Sequence, residues 1–372
     1  GIAYRTDTAG NVVVDEFGTG AAGQGKVNIT NRGDVNLDGE GAIGIFAKNN
    51  KAGTTFTNAV ALNDTAGVIT TTGTKSVGMA GEGATITNNG TINVNGQIGT
   101  GMFGEASSRM ENSGTINIAA STSPTEPNIG MYTEDQNTEI YNNKDIIGGD
   151  NTYGIYGKTI DMASTGKIKV GDNSVGVYSN GQYTSSATPN VTLASGSSIE
   201  VGANQSAGVF VTGKNQNISS QADMKIGDNS YGYVVKGTGT TVTINPANPV
   251  TVGNDTVYIY STDTTGNIEN RTALISTGSN NYGIYAAGNV TNLGDVDFSS
   301  GIGNVGMYSI SGGTIVNGSS TVNSVIKVGA SDTANKLYGI GMVAGYTDDN
   351  GNVIQTGTVE NYGTIKVEKD NG

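Results

Sequence analysis

Apolar and polar residues alternate in short runs along the whole chain, and two recurring patterns account for most of these runs. The first is aliphatic–Gly–aliphatic–aromatic, which recurs with some variation at 43–46, 77–80, 100–103, 129–132, 153–156, 175–178, 207–210, 231–234, 257–260, 282–285, 305–308 and 340–343. The second is Asn-x-Gly-x-aliphatic-x-aliphatic, with clear copies at 31–37, 88–94, 112–118, 292–298 and 361–367. A period of two predicts β-strands, and no segment has the 3.6-residue period of a helix.

The spacing of the two patterns predicts a solenoid. Gly44 and Gly341 occupy the same position of the first pattern, and the intervals between successive copies average about 27 residues. Each interval holds three strands: one ends at the Asn, one follows the next Gly, and one carries the first pattern. Turn residues such as Gly-Asp-Asn-Ser at 171–174 separate them. We predict an all-β, right-handed parallel β-helix (solenoid) with three strands per coil, about 13 coils, and loop or hairpin insertions.

Stacked coils place each repeat position above its own copies. Asn31, Asn88 and Asn112 are therefore expected to form a ladder at one corner, in which each amide bonds the copies above and below it. Asn also tolerates a left-handed backbone, which a sharp corner can require.

The first pattern predicts a file of aromatic rings. We expect the aliphatic residues on both sides of the Gly to point inward, and the Gly and the aromatic residue to lie on the other face. The rings either pack over the glycines or form a platform that binds glycans or a host protein, with Tyr132, Tyr156 and Tyr178 as candidate binding residues. The expected file consists of Phe46, Phe103, Tyr132, Tyr156, Tyr178, Phe210, Tyr260, Tyr285 and Tyr308.

Longer intervals mark insertions, which in solenoids become surface loops that meet partners. Residues 4–13 resemble residues 346–354, and both read as a projecting hairpin. No linker divides the chain, so we expect residues 1–372 to form one continuous β-helix segment of a longer protein. The expected insertions lie at about 5–25, 51–70, 119–128, 180–190, 319–337 and 345–357.

Composition and charge exclude several classes of function. Charged residues make up only 14% of the chain, and the 59 Gly indicate many turns. A net charge of −13 argues against binding nucleic acid or anionic membranes. The absence of Cys and His removes disulfides, thiolate metal sites and the commonest general base. We expect no cofactor and no metal.

Three short motifs admit a functional interpretation beside a structural one. Arg32-Gly33-Asp34 spells the integrin-recognition tripeptide at a sharp turn, although its Gly belongs to the repeat. The Gly-Asp-Asn turns could suggest calcium, but the tandem nine-residue motif of calcium-binding β-helices is absent. Carboxylate pairs at 15–16, 134–135 and 348–349 lie in expected loops rather than in one groove, so we expect no enzyme activity.

The repeats carry a family resemblance that covers nearly the whole chain. Ser-Val-Gly-Met at 76–79, Ser-Val-Gly-Val-Tyr at 174–178 and Asn-Tyr-Gly-Ile-Tyr at 281–285 alternate with Asn-x-Gly-Thr-Ile-x-Val strands. They resemble the passenger repeats of large fusobacterial type V (RadD-type) autotransporter adhesins. The resemblance implies a signal peptide upstream, a C-terminal outer-membrane β-barrel downstream, and a passenger exposed at the cell surface.

Three functions follow as hypotheses. The first is an adhesin segment that attaches the cell to a bacterial or host-cell surface protein or glycan through loops on the rod. The second is an inert stalk that spaces a distal binding domain. The third, from another class, is a polysaccharide-degrading β-helix enzyme.

Overall fold

The computed structural model describes residues 2–6, 12–16, 27–49, 59–185 and 187–368, with side chains from residue 28 onward. Every regular element in these ranges is a β-strand, and strands at equivalent repeat positions pair in parallel with their copies one coil away. This confirms the predicted β-helix and its three strands per coil. The period-two alternation produces the strands because one face of each is buried inside the coil and the other meets solvent or neighbouring loops.

One long sheet, here called the asparagine sheet, contains the strands that end at the Asn of the second pattern. Its 13 strands, in spatial order, are Val27–Asn31, Ala59–Asn63, Thr85–Asn88, Arg109–Asn112, Glu139–Asn142, Thr159–Met162, Val191–Leu193, Asn217–Ser220, Thr241–Ile244, Asn267–Asn270, Asn289–Asn292, Thr314–Asn317 and Thr358–Asn361.

A second long sheet, the glycine sheet, contains the strands of the first pattern. Its 12 strands are Ile43–Lys48, Val77–Glu82, Thr100–Glu105, Asn128–Tyr132, Thr152–Gly157, Val175–Ser179, Ala207–Val211, Tyr231–Val235, Val257–Ser261, Tyr282–Ala286, Val305–Ser309 and Ile340–Ala344.

The third side of the coil consists of two shorter sheets. The first has eight strands: Asp34–Leu37, Val68–Thr71, Thr91–Val94, Thr115–Ile118, Asp145–Gly148, Lys167–Val170, Ser198–Val201 and Asp223–Ile226. The second has five: Val250–Val252, Leu274–Ser276, Val296–Ile302, Val325–Ala330 and Thr364–Val367. The break falls where Pro246 and Pro249 precede Val250–Val252, because proline has no backbone N–H to donate to a neighbouring strand.

Two antiparallel hairpins, Ile2–Thr6 with Val12–Glu16 and Tyr346–Thr347 with Val353–Gln355, lie outside the stacked sheets of the coil. They correspond to the two similar segments in the sequence. The other residues of the expected insertion at 5–25, and residues 51–58 of the insertion at 51–70, lie outside the described residues.

Several expected insertions contain coil strands. Residues 59–63 and 68–70, within 51–70, belong to Ala59–Asn63 and Val68–Thr71, and residues 325–330, within 319–337, form Val325–Ala330. Residues 119–127 form a loop that ends at the strand Asn128–Tyr132, while residues 180–190 connect two coil strands. The sequence placed these boundaries too widely because irregular spacing does not show which residues of a long interval return to the coil.

The expected asparagine ladder is present. Asn63 donates from Nδ2 to Asn88 Oδ1 at 2.8 Å, and Asn88 donates in the same way to Asn112 at 2.9 Å. The ladder runs from Asn31 to Asn142, and a second one runs from Asn270 to Asn361. In the four coils between them the position holds Met162, Leu193, Ser220 and Ile244.

The left-handed corner lies elsewhere than expected. None of the ladder asparagines with a described side chain has a positive φ. Among residues other than Gly, positive φ values occur mostly in the turn that leads into the glycine sheet, for example 51° at Asn173 and 53° at Asn229. The ladder asparagines are conventional strand residues, and those inside each ladder are buried with amides that bond one another in the core.

In the first pattern, the residue after the Gly and the aromatic residue point in the expected directions, whereas the Gly and the residue before it point in the opposite ones. A Cβ atom on Gly176 would lie 2.6 Å from the Ile199 side chain, which is in the core, so this Gly faces inward together with the buried Val177. The residue before the Gly, Val175, packs on the outer face beside Tyr178. Two consecutive residues point inward because the strand is locally irregular at the Gly, whose close approach to the next coil leaves no room for a side chain.

Candidate binding face on the glycine sheet

The outer face of the glycine sheet carries the expected file of aromatic rings. Tyr156 and Tyr178 stack with centroids 4.6 Å apart and planes 7° apart, and Tyr178 and Phe210 stack at 5.2 Å. The coils form this file because parallel, in-register strands bring identical positions into contact. Neighbouring rings contact one another in two runs, which are stacked except that Tyr132 is tilted against Tyr156 and Tyr308 meets Tyr285 edge-on: Phe103, Tyr132, Tyr156, Tyr178 and Phe210, and then Tyr260, Tyr285 and Tyr308.

A second row of tyrosines lies beside the file, and the sequence reasoning missed it. Tyr153, Tyr231 and Tyr282 occupy the position before the Gly, which the expectation had placed inside the coil. Tyr153 stacks on Tyr178 at 5.9 Å, and Tyr231 meets Tyr260 edge-on at 5.8 Å. The sequence did contain a signal for the outward direction of this position, because three coils have a tyrosine there. A tyrosine ring is more common on an open face than in a core of Ile and Val.

Polar contacts hold the hydroxyl ends of the central rings. Asn180 donates from Nδ2 to the Tyr156 hydroxyl at 2.9 Å and to Glu134 at 3.3 Å, and the Tyr132 hydroxyl donates to Glu134 at 3.4 Å. Burial, followed by the neighbouring Glu134 carboxylate, raises the pKa of both Tyr132 and Tyr156 above the usual value. These phenols therefore stay neutral at physiological pH and act as hydrogen-bonding, apolar surface.

The loop formed by residues 119–127 borders this face and helps to shape two grooves. Pro124 contributes to both. One groove, of about 770 Å³, runs past Tyr132 and Tyr156. The other, of about 410 Å³, runs past Tyr178 and Phe210 to Tyr260. Both volumes fall in the range of small-molecule sites, so the face is a candidate binding surface that includes all three tyrosines singled out in the sequence.

Arg32, Gly33 and Asp34 lie far from this face in the repeat, at the asparagine corner, and all three are exposed. Arg32 donates from Nε to Asp64 Oδ2 at 2.9 Å, and Asn31 bonds both the N–H and the carbonyl of Gly33. The Arg32–Asp64 contact joins two coils, and the Asn31–Gly33 bonds hold the turn within one coil. Integrin recognition by this tripeptide remains a hypothesis.

The Gly-Asp-Asn turns use their carboxylates within the stack. Asp172 accepts from the Ala203 backbone N–H at 2.8 Å and from Asn204 Nδ2 at 2.7 Å, both one coil away. Asp228 accepts from the backbone and the side chain of Asn254 in the same way. Over the described ranges, no three or more Asp, Glu, His or Cys come together in a group that could hold a metal ion.

Carboxylate pairs are likewise dispersed. Burial by itself would raise the pKa of Asp135. The carboxylate also accepts hydrogen bonds from the Ser107 backbone N–H and from the Thr138 hydroxyl, and these bonds lower the pKa below its usual value. Asp348 caps the turn of its hairpin by accepting from the backbone of Asn350 and Asn352. The side chains of the pair at 15–16 lie outside the described residues. In this arrangement the carboxylates stabilise turns.

Comparison with known proteins gives one likeness. The family model described as the BigA third pectate lyase-like domain matches residues 3–146, which is less than half of the chain. No curated protein matches, and no solved structure matches. In the part of the chain that the structure describes, no helix is long and apolar enough to cross a membrane.

Proposed function

We propose that this chain is a segment of the surface-exposed passenger of a bacterial autotransporter adhesin, and that the outer face of its glycine sheet binds the partner. The likeness of residues 3–146 to a pectate lyase-like domain of BigA, an autotransporter-type adhesin, supports the coarser part of the proposal. The resemblance of the repeats to those of fusobacterial RadD-type adhesins supports the finer part.

The observation that carries the proposal is the aromatic face itself. Stacking of the coils does not by itself require aromatic residues on the outer face, because Thr, Ser and Asn cover the outer surface elsewhere in the chain. Here aromatic rings line two grooves, with Tyr153 in both. Aromatic residues offer large, rigid contact area at a low entropic cost, and they are enriched where proteins meet partners. The partner is a protein or glycan on a host cell or on another bacterium.

A polysaccharide-degrading enzyme is the less favoured function. Such an enzyme needs several acidic side chains that converge on a substrate groove. The groove near Tyr178 has no carboxylate among its lining residues, and the groove near Tyr132 has only Glu126 and Glu134. We therefore propose that binding, without catalysis, is the activity of this segment.

The test is attachment by the isolated chain. Beads coated with the purified protein are expected to attach to epithelial cells or to partner bacteria, and soluble protein should compete for this attachment. Tyr178→Ala should reduce attachment at least about tenfold if the ring is an energetic centre of the interface. Tyr141→Ala is the matched control, because Tyr141 is an outward-facing ring on the asparagine sheet, stacked under Arg109.

Two results would count against the proposal. Attachment no greater than that of uncoated beads would favour the stalk hypothesis. Equal losses in Tyr178→Ala and Tyr141→Ala would show that the aromatic face is not the binding surface.

A further inference from the structure

The aromatic file has a gap of one ring at Val234. In the register of the glycine sheet, Val234 pairs with Phe210 on one side and with Tyr260 on the other. Neighbouring strands are about 4.8 Å apart, so the Phe210 and Tyr260 rings are separated by about 10 Å. That distance leaves space for one flat ring between two aromatic faces. Buried Val234 forms the floor of this slot.

The chain fills the gap with a cation of its own. The Nζ atom of Lys236 lies 5.4 Å from the Phe210 centroid and 5.9 Å from the Tyr260 centroid, over both rings. These distances are within the range of cation–π contacts. Lys236 is an exposed residue with a flexible stem, so its ammonium group can move to the rim of the slot while a ligand enters.

The surroundings of the slot favour an anionic, hydroxylated ligand. Among the described residues, Lys236 is the only charged one that lines this groove of about 410 Å³, although the chain as a whole carries a net charge of −13. The exposed residues Asn173 and Gln205 also line the groove and offer side-chain amides. A glycan that extends from the slot along the groove can bond these amides with its hydroxyl groups, whereas an aromatic side chain of a peptide held in the slot would leave them without a partner.

A second gap in the same file provides an internal comparison. Ala80 lies between Phe46 and Phe103 in register. The residue two positions after Ala80, equivalent to Lys236, is Glu82, which forms an ion pair with Lys48 at 2.8 Å. The two gaps share their geometry but not their charge.

We propose that the slot at Val234 binds a sugar ring that carries a carboxylate, as in uronic and sialic acids. The apolar face of the sugar packs between Phe210 and Tyr260 in place of the missing ring. Its carboxylate pairs with Lys236, and further sugar units of the same glycan extend along the groove toward the amides of Asn173 and Gln205. The proposal rests on the proposed adhesin function and names the ligand class of one part of the same face.

The test is titration of the full chain with methyl β-glucuronide and with N-acetylneuraminic acid, in which saturation-transfer NMR and calorimetry measure binding. Methyl β-glucoside is the neutral control ligand. At least one acidic sugar should bind about tenfold more tightly than the glucoside, a ratio that one charge pair at a partly desolvated site can supply. Val234→Phe closes the slot with a ring and should abolish binding. Ala80→Phe closes the other gap and should leave binding unchanged.

Lys236→Gln isolates the charge, because it leaves the slot open. The variant should keep weak binding to both sugars and lose the preference for the acidic one. The proposal is overturned if neither acidic sugar binds the wild-type protein, if Val234→Phe binds as well as wild type, or if Lys236→Gln keeps the preference. Attachment of coated beads that acidic sugars fail to block would reject this slot as the binding site and leave the adhesin function standing.

Discussion

The ring of Tyr258 occupies the space that a Cβ atom on Gly232 would need. Such an atom would lie 2.7 Å from Cδ2 of Tyr258 and 2.6 Å from its carbonyl oxygen. Tyr258 stands where the other copies of the first pattern have Gly, and its fully buried ring meets Tyr233 edge-on at 5.6 Å. Two adjacent coils therefore each hold one tyrosine in the core, and Gly232 makes room for Tyr258.

Gly232→Ala should lower the free energy of unfolding by about 1–3 kcal/mol, because the added methyl group overpacks a core that cannot expand freely. Urea denaturation followed by circular dichroism measures the change. Gly33→Ala is the control, because a Cβ there would have no neighbour within 4 Å. Equal stability of the two variants would show that the core yields at Gly232.

Asn88→Ala should destabilise the coil by about 1–3 kcal/mol, because it removes one ladder bond to Asn63 and one to Asn112 and leaves buried amide groups unpaired. Asn361→Ala, at an exposed end of the second ladder with a single ladder bond, should cost less. The comparison uses thermal and urea midpoints. A smaller loss at Asn88 than at Asn361 would contradict the buried ladder as a source of stability.

Alkaline pH should unfold the protein through its buried tyrosines. Burial raises the pKa of Tyr233 to about 12 and raises that of Tyr258 well above its usual value. A tyrosine in the unfolded chain titrates near pH 10. The contribution of these groups is thus fully present below pH 10 and is lost as the pH rises through the folded-state pKa.

Tyr233→Phe should reduce the loss of stability that occurs between about pH 10 and 12. The variant also lacks the hydrogen bond to Ser220, so it should be less stable than wild type at neutral pH. Tyr338→Phe, at an exposed site, is the control. Melting temperatures measured across this pH range give the result. An unchanged slope in Tyr233→Phe would mean that other groups cause the alkaline transition.

Chelation should leave the melting temperature unchanged, because the turn carboxylates Asp172 and Asp228 are already bonded to the backbone of the next coil. The measurement is a thermal melt with and without EDTA. A decrease of several degrees in EDTA would reveal a metal that these turns bind.

Asp34→Ala should leave binding to integrins unchanged, since Arg32 is paired with Asp64 of the next coil and Gly33 is held in its turn by Asn31. A solid-phase binding assay with purified integrin measures this. A loss of integrin binding in the variant would assign recognition to the tripeptide after all.

The repeat explains why so much of the fold could be predicted. In a solenoid each residue lies above its own copy, so a periodic sequence specifies its own neighbours and a ladder such as Asn63–Asn88–Asn112 can be read directly. The aromatic file could be predicted for the same reason. Whether the residues around the Gly point inward or outward could not be predicted, because the irregular backbone there interrupts the alternation of the two faces of the strand.

The sequence by itself determined the number of strands per coil, the parallel register and the positions that stack, because these depend only on the period. The tertiary structure decided what each stacked position meets one coil away. The Nδ2 atom of Asn142 has no hydrogen-bond partner because Met162 takes the place of the next Asn. In the same way, the rings of Phe210 and Tyr260 face each other across Val234 with Lys236 between them. Such contacts join residues 20 or more positions apart in the chain, and only the path of each coil brings them together.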